Sequence, residues 1–434
     1  MLDRRSFLGS FAGAAVLARA GRFGRAEPAP GTGPPAWPPA VFQDDETYWR
    51  TLRREFLIPA DEAFFNTGTL GSSPRVVLQT VIDHMTQVEG TIAHWDYKAE
   101  HPDYFSGYRP ETDLRSKLAA LIGATADEVA LTQNATVGMN YVANGLPLEP
   151  GHEVILTNLE HPGGRMGWEL KSKRYGIYVK QVAVPVPPQN PQQLVDLYVN
   201  ATTPQTRVWS IPHLTSGQAI RFPVEQMCSI ARDRGIFTVI DGAQCCGHLQ
   251  LDMKRIGCDA YYSSPHKWLL APPGCGFLYV ASQKLPGVWA TLASASWDDY
   301  KDGAYRLTQI GTGNLSLLKG LEAAIEFHNR IGPARVEGRI MALANRLRAG
   351  LQQIPQVQIH SPLHAELLSG TTIWSLAGYT GTELMDGLWE RAKLRCRSMG
   401  DPLGVRQCCH IYTLPEDVDR TLETVRRMVR DRRS

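Results

Sequence analysis

From Glu111 onward, helical and strand periodicities alternate along the chain. "ETDLRSKLAALIG" (111–123) reads as an amphipathic helix stopped by Gly123. "EVALTQN" (128–134) reads as a short strand and "TVGMNYVANGL" (136–146) as the helix after it. "EVILTNL" (153–159), "TRVWSIPHL" (206–214) and "IFTVIDGAQ" (236–244) are apolar enough to be buried strands, and so is Gly276–Val280. "PVEQMCSIARDRG" (223–235) is a helix with Pro223 near its start and Gly235 as its stop. Apolar strands alternating with helices argue an α/β fold, with a mostly parallel sheet covered on both faces.

After Gly313 the pattern changes. Two long helices, 315–331 and 333–353, lead to strands in "VQIHS" (357–361), "GTTIWSL" (370–376) and "VRQCCHIYT" (405–413). Helices at 381–394 and 415–431 complete a smaller α+β domain. The expected division is therefore a large domain with its N-terminal arm over 41–314 and a small C-terminal domain over 315–434.

The first 40 residues belong to neither domain. "DRRSFLGSFAGAAVLARA" pairs Arg4 with Arg5, continues in an apolar stretch to Leu17 and ends in a small-x-small site. It resembles a twin-arginine export signal, assigned to 1–26, with Ala20 and Ala26 as alternative ends. The apolar stretch is too short to span a bilayer. The expectation is export to the periplasm through the twin-arginine translocation machinery. "EPAPGTGPPAWPPA" (27–40) is a Pro-rich linker.

Composition narrows the function classes. Hydrophobic residues are 43% and charged residues 20%, as in an ordinary globular enzyme. A net charge of +2 gives no argument for nucleic acid. None of the eight cysteines stands in a C-x-x-C pair, so a zinc ribbon or thioredoxin-type site is not expected, and no metal is assigned.

The candidate chemistry sits where strands end. Ligands of open α/β sheets bind at the carboxyl ends of strands, and four polar clusters fall there: "QNATVG", "TNLEHPGG", "IDGAQ" and "SSPHKW". Lys267, between His266 and Trp268, is either a snorkelling side chain or an amine kept desolvated to form a Schiff base. Asp241 is either a helix cap or the acid partner that keeps a pyridine nitrogen protonated, as the ring of pyridoxal phosphate requires. Gln244 is placed to hydrogen-bond the phenolic oxygen of such a ring. His161 either caps a helix or stacks on the ring. The helix opened by "NATVG" offers free N–H groups and the Thr136 hydroxyl to a phosphate, with Ser264 and His266 as further contacts.

These motifs, with "FFNTGTLG" (64–71), "HLTSGQAIRFPVEQM" (213–227), "GTGN" (311–314) and "VRQCCHIYTLPEDVDR" (405–420), resemble the class V aminotransferases of fold type I. The branch they resemble includes isopenicillin N epimerase. The resemblance implies pyridoxal 5'-phosphate as cofactor, with Lys267 forming the internal aldimine. It implies that Asp241 pairs with the pyridine nitrogen, that Gln244 contacts the ring oxygen and that His161 stacks on the ring. Ala135, Thr136, Ser264 and His266 would hold the phosphate, and Thr312 would reach a neighbouring subunit's phosphate across a homodimer. Arg406 would grip a substrate carboxylate, with Asn66 beside it.

The implied activity is at the α-carbon or amino group of an amino-acid or peptide-like metabolite. Transamination, epimerisation, elimination and oxidative decarboxylation share that chemistry and stay open. The stretch "RSMGDPLGVR" (397–406) lacks the nucleophilic cysteine of relatives that abstract sulfur. An exported group in this branch modifies a siderophore side chain, which makes a siderophore precursor a candidate substrate. The alternatives are a non-catalytic sensor that binds the cofactor or an amine, and a C–S lyase or desulfurase-type enzyme.

Overall fold

The computed structural model describes residues 45–94 and 111–432. The export signal of 1–26 and the linker of 27–40 lie outside the described residues.

After the helix Asp45–Arg53 (α1) comes a two-residue strand, Ala63–Phe64 (β1). Seven strands then build the main sheet: Val129–Thr132 (β2), Glu153–Thr157 (β3), Tyr178–Val182 (β4), Thr206–Pro212 (β5), Phe237–Asp241 (β6), Ala260–Ser263 (β7) and Gly276–Val280 (β8). Their spatial order is β2-β8-β7-β6-β5-β3-β4, with β8 running antiparallel to β2 and β7 and the pairs from β7 to β4 parallel. Side chains alternate across a strand, and here both faces are buried. Ile155, Trp209, Ile240, Tyr261 and Phe277 enter one apolar cluster. Val154, Val208, Val239, Tyr262 and Leu278 enter the other. That double burial is why these strands read as continuous apolar runs.

Three elements between residues 162 and 201 were not expected from periodicity. The helix Pro162–Tyr175 (α2) buries little besides Gly164, Gly167, Trp168 and Lys171, so it has no apolar stripe to read. Edge strand β4 is mostly exposed, and the helix Pro191–Ala201 (α3) covers its end of the sheet.

The helices Leu315–Ile331 (α4) and Pro333–Gln352 (α5) lead to a second sheet. It contains Val357–Ile359 (β9) and Thr371–Leu376 (β10). The short strand Leu394–Arg395 (β11) instead pairs in parallel with β1. Arg397–Gly400 (β12) and Gly404–Cys408 (β13) complete the antiparallel order β12-β13-β10-β9. The N-terminal segment is thus stitched to the C-terminal region: Ala63 and Phe65 enter the apolar core of Trp374, Val405 and Val425.

The strand expected over 405–413 stops at Cys408. The rest of the run is apolar because it is packed, not because it is paired. His410 accepts the Thr413 N–H at 2.9 Å through its carbonyl, and its own N–H donates to Thr413 Oγ1 at 3.0 Å, which closes a buried turn.

Candidate active site

The carboxyl ends of β2, β3, β5, β6 and β7 face one cleft of about 300 Å³. Thr136, His161, Gln244, Ser264, His266, Lys267 and Arg406 line it. Asp241 lies buried behind it, and Asn66 reaches it through Arg406. Thr312 is placed elsewhere, exposed on the turn before α4 and not on the cleft wall.

Lys267 is half-buried in a turn that follows β7. Its backbone N–H donates to Ser264 O at 3.0 Å, and the preceding carbonyl, His266 O, accepts the Gly71 N–H at 2.9 Å. The next residue, Trp268, is 1% exposed and fixes the turn from below. Its ring stacks on His248 at 3.7 Å, and its carbonyl pairs with His410 Nε2 at 3.0 Å. Its indole N–H donates to Gln244 Oε1 at 2.8 Å, while Gln244 Nε2 donates to Gly68 O at 2.9 Å. Gly68 separates Gln244 from Arg406, since a Cβ there would meet Gln244 Oε1 at 3.2 Å and Arg406 Cζ at 3.1 Å. Burial pushes the Lys267 amine below its usual range, and Arg406 and Arg397 add to that, with Asp241 opposing.

Asp241 ends β6 on the same face as Val239. Its Oδ1 accepts the Ala243 N–H at 2.9 Å, so the capping role is real. Its Oδ2 turns into a second cluster. A Cβ on Gly164 would meet Asp241 Oδ2 at 2.7 Å, the Tyr262 hydroxyl at 3.1 Å and Glu160 Oε2 at 3.6 Å. Glu160 Oε2 is buried and lacks a hydrogen-bond partner among the described residues, while the buried Tyr262 hydroxyl faces Asp241. Burial, with Asp241 nearby, drives the Glu160 carboxyl well above its usual range. Burial also raises Asp241, while the Ala243 N–H, Lys267 and His161 pull it back. A buried carboxylate in this setting is suited to a cationic N–H partner.

His161 serves both roles considered for it. It caps α2 by accepting the Gly163 N–H at Nδ1, 3.0 Å away, and its ring lines the cleft. An accepting Nδ1 places the proton of the neutral ring on Nε2. Burial and then Lys267 hold the His161 imidazole below its usual value.

A helix of 11 residues, Ala135–Gly145, starts beside Lys267 with Asn134 as its cap. The Ala135 N–H donates to Ser264 Oγ at 3.0 Å, and Asn134 Oδ1 accepts from Val137 at 3.0 Å. Exposed Thr136 and half-buried His266 complete the polar rim. His266 Nδ1 meets Cys275 O at 3.4 Å, and a carbonyl only accepts, so that nitrogen carries the proton.

Arg406 is 2% exposed. Its Nη1 donates to Ser216 O at 2.9 Å, and its Nη2 donates to Asn66 Oδ1 at 3.0 Å and Thr69 Oγ1 at 2.6 Å. Its Nε has no partner, and among the described residues no carboxylate pairs with it.

Several residues here escaped the sequence reading. Thr69 and Ser216 lay inside quoted motifs without a role, and Arg397 lay in a stretch read only for its missing cysteine. Glu160 and Tyr262 had no local signal, because their setting is made by burial against Gly164.

A primary amine, a buried acid, an imidazole plate and a helix N-terminus around one cleft form a donor set that fits a phosphorylated pyridine aldehyde. Arg406 lines the cleft with its buried Nε unpartnered, a donor that an anionic ligand would satisfy.

Comparison with known proteins agrees. The family described as aminotransferase class-V matches residues 64–421. The chain is similar to isopenicillin N epimerase of Streptomyces clavuligerus, 31% identical over 396 residues, covering 87% of this chain and 97% of that protein. A probable cysteine desulfurase of Methanothermobacter thermautotrophicus is 26% identical over 321 residues, covering 71% and 77%. Among solved structures, the apo cysteine desulfurase of Thermococcus onnurineus NA1 superposes with a TM-score of 0.77 at 21% identity, covering 88% and 98%. A cystine C-S lyase in complex with its product cysteine persulfide gives 0.73 at 23%, covering 84% and 97%. With most of its length matched and its cleft furnished as that chemistry requires, the chain belongs to the aminotransferase class-V family of pyridoxal-phosphate-dependent enzymes.

Proposed function

We propose that the protein is an exported enzyme acting at the α-carbon and amino group of an amino-acid or peptide-like metabolite, in the manner of an aminotransferase or epimerase. The observation that carries this reading is Arg406, a buried guanidinium with no carboxylate partner among the described residues, set in the same cleft as Lys267. A substrate α-carboxylate that replaces the Asn66 or Thr69 acceptor on Nη2 would complete a bidentate fork and fix the α-carbon relative to the lysine.

Pyridoxal phosphate, when bound, supplies the electron sink. The chain's own residues handle protons and position. Lys267, with its depressed basicity, has more neutral amine available as nucleophile and then as base at the α-carbon. Asp241 would keep a proton on the ring nitrogen, and Gln244, pinned by Trp268, would present its amide to the ring oxygen. His161 would cover the ring, and Thr136, Ser264 and His266, with the Ala135 N–H that now donates to Ser264 Oγ, would receive the phosphate.

Thr312 and the homodimer form part of this reading. Thr312 is exposed, as a residue acting on a neighbour's phosphate must be. The surface beside Thr136 carries a groove lined by Leu170, Tyr175 and Leu292, all exposed apolar side chains suited to a second copy.

Sulfur transfer through a cysteine nucleophile is disfavoured. Residues 397–406 hold no cysteine, and the neighbouring Cys396, Cys408 and Cys409 are all buried, with burial pushing the Cys396 and Cys409 thiols up to about 12. A sensor without turnover is disfavoured too, because binding alone does not need a base and a carboxylate fork together. Export rests on the paired arginines and apolar stretch of 1–26, and maturation of a siderophore side chain is the specific case that this location favours. The test is incubation of the purified enzyme with amino compounds and siderophore precursors, followed by mass spectrometry. A mass change at the amino-bearing carbon, or exchange of its proton, supports the reading. Saturable binding without any turnover would replace it with the sensor.

A further inference from the structure

Arg397 on β12 stands directly opposite Arg406 on β13 in an antiparallel register, so both side chains leave the same face of the sheet. Both reach one atom: Arg397 Nη1 donates to Thr69 Oγ1 at 3.1 Å and Arg406 Nη2 to the same oxygen at 2.6 Å. Both line the cleft, where among the described residues the other charged wall side chain, apart from the histidines, is Lys267, with Asp241 buried behind it. No carboxylate forms an ion pair with either arginine among the described residues. Like charges placed opposite one another are destabilising. Holding two unneutralised guanidiniums beside an amine therefore needs a reason, and an incoming anion removes the cost.

The two arginines differ in depth. Arg406 is buried, whereas Arg397 is exposed at the cleft mouth, with Nη1 committed to Thr69 and its remaining donors turned to no protein acceptor. Two forks at two depths match two anionic groups better than one. Met399, on the same strand as Arg397, adds an apolar wall to the cleft that suits methylene groups between those anions.

Building on the proposed role of Arg406, we propose that the cleft selects substrates carrying a second anionic group beyond the α-carboxylate, and that Arg397 binds it. The substrate class is an amino acid with an acidic side chain, or an acidic residue of a peptide-like chain. The test uses the holoenzyme and calorimetric titration with glutarate, a dicarboxylate, and butyrate, a monocarboxylate of similar length. Wild type should bind glutarate at least about tenfold more tightly than butyrate, the effect of one charge-assisted contact. Arg397→Ala, at an exposed position, should erase that preference and leave butyrate within about twofold. Arg406→Gln should weaken both ligands. Equal affinities in wild type, a preference that survives in Arg397→Ala, or equal weakening of both ligands by Arg397→Ala would overturn the proposal while leaving the Arg406 fork in place. Unchanged butyrate binding in Arg406→Gln would instead remove the fork, and this proposal with it.

Discussion

The indole N–H of Trp268 donates to Gln244 Oε1 at 2.8 Å, tying the residue after the candidate lysine to the residue placed against the ring oxygen. An amide with its oxygen occupied in this way cannot flip without breaking a buried bond. Trp268→Phe keeps much of the ring stack on His248 but leaves Gln244 Oε1 unpaired. We expect a stability loss of about 1–3 kcal/mol, the cost of one orphaned buried acceptor. Weaker cofactor retention should accompany it, because the Gln244 amide becomes free to turn. Denaturant unfolding and cofactor titration measure the two effects separately. Unchanged cofactor affinity would show that the pin serves packing alone.

Asp241→Asn tests chemistry apart from binding. The substitution preserves shape and an acceptor for the Ala243 N–H but removes the charge. Cofactor should still bind, because the contacts around Thr136, Ser264 and His266 are untouched. Exchange of the α-proton of an amino-acid probe into deuterium oxide should slow by about 10²–10⁴-fold, the usual effect of losing a preorganised electrostatic partner. Wild-type exchange rates would reduce Asp241 to the capping role it also plays.

Acid should loosen the lysine turn. His248 stacks on Trp268, His410 makes a tilted ring contact with it, and His213 is buried against Tyr261. Burial pushes each imidazole down to about 3. The unfolded chain binds these protons near the ordinary histidine value of about 6.5, so it holds more protons than the folded chain between the two values. Their contribution to stability is thus complete above about pH 6.5 and is lost as pH falls towards about 3. The denaturation midpoint measured across that range should fall with acidification. His248→Gln should flatten the slope, and a profile identical to wild type would contradict the assignment of a neutral His248.

Thr312→Ala addresses the subunit partnership. The residue is exposed and outside its own cleft, so a local role predicts no effect on the cofactor. A contact to a neighbour's phosphate predicts weaker retention by about 1.5–3 kcal/mol, one hydrogen bond to a charged group. Sedimentation should show a dimer in both proteins. A fully active monomer would contradict this part of the account.

The strands of the main sheet were legible because residues such as Val239 and Ile240 are buried on opposite faces. The same logic hides β4, an exposed edge, and α2, whose buried residues are Gly164, Gly167, Trp168 and Lys171. His410 to Thr413 misled in the other direction, since an apolar run records burial and not pairing. At the site, Lys267 and Asp241 were legible because each follows or ends a strand pointing at one crevice. Arg397 and Glu160 were not. One acquires its setting from cross-strand register and the other from burial beneath Gly164, and neither is a local property of the sequence.

The central claim is that Lys267 carries the cofactor, and a second lysine makes its test stringent. Lys171 is also buried, and burial alone pushes its amine down to about 8. It lies in α2 and donates to Leu146 O, away from the cleft. If depressed basicity alone selected the reactive amine, Lys171 would qualify. The measurement is borohydride reduction of the holoenzyme, proteolysis and mass spectrometry of the lysine-bearing peptides. The account predicts the reduced cofactor on the peptide containing Lys267 and none on that containing Lys171. A cofactor adduct on Lys171, or an undiminished adduct in Lys267→Ala, would contradict it.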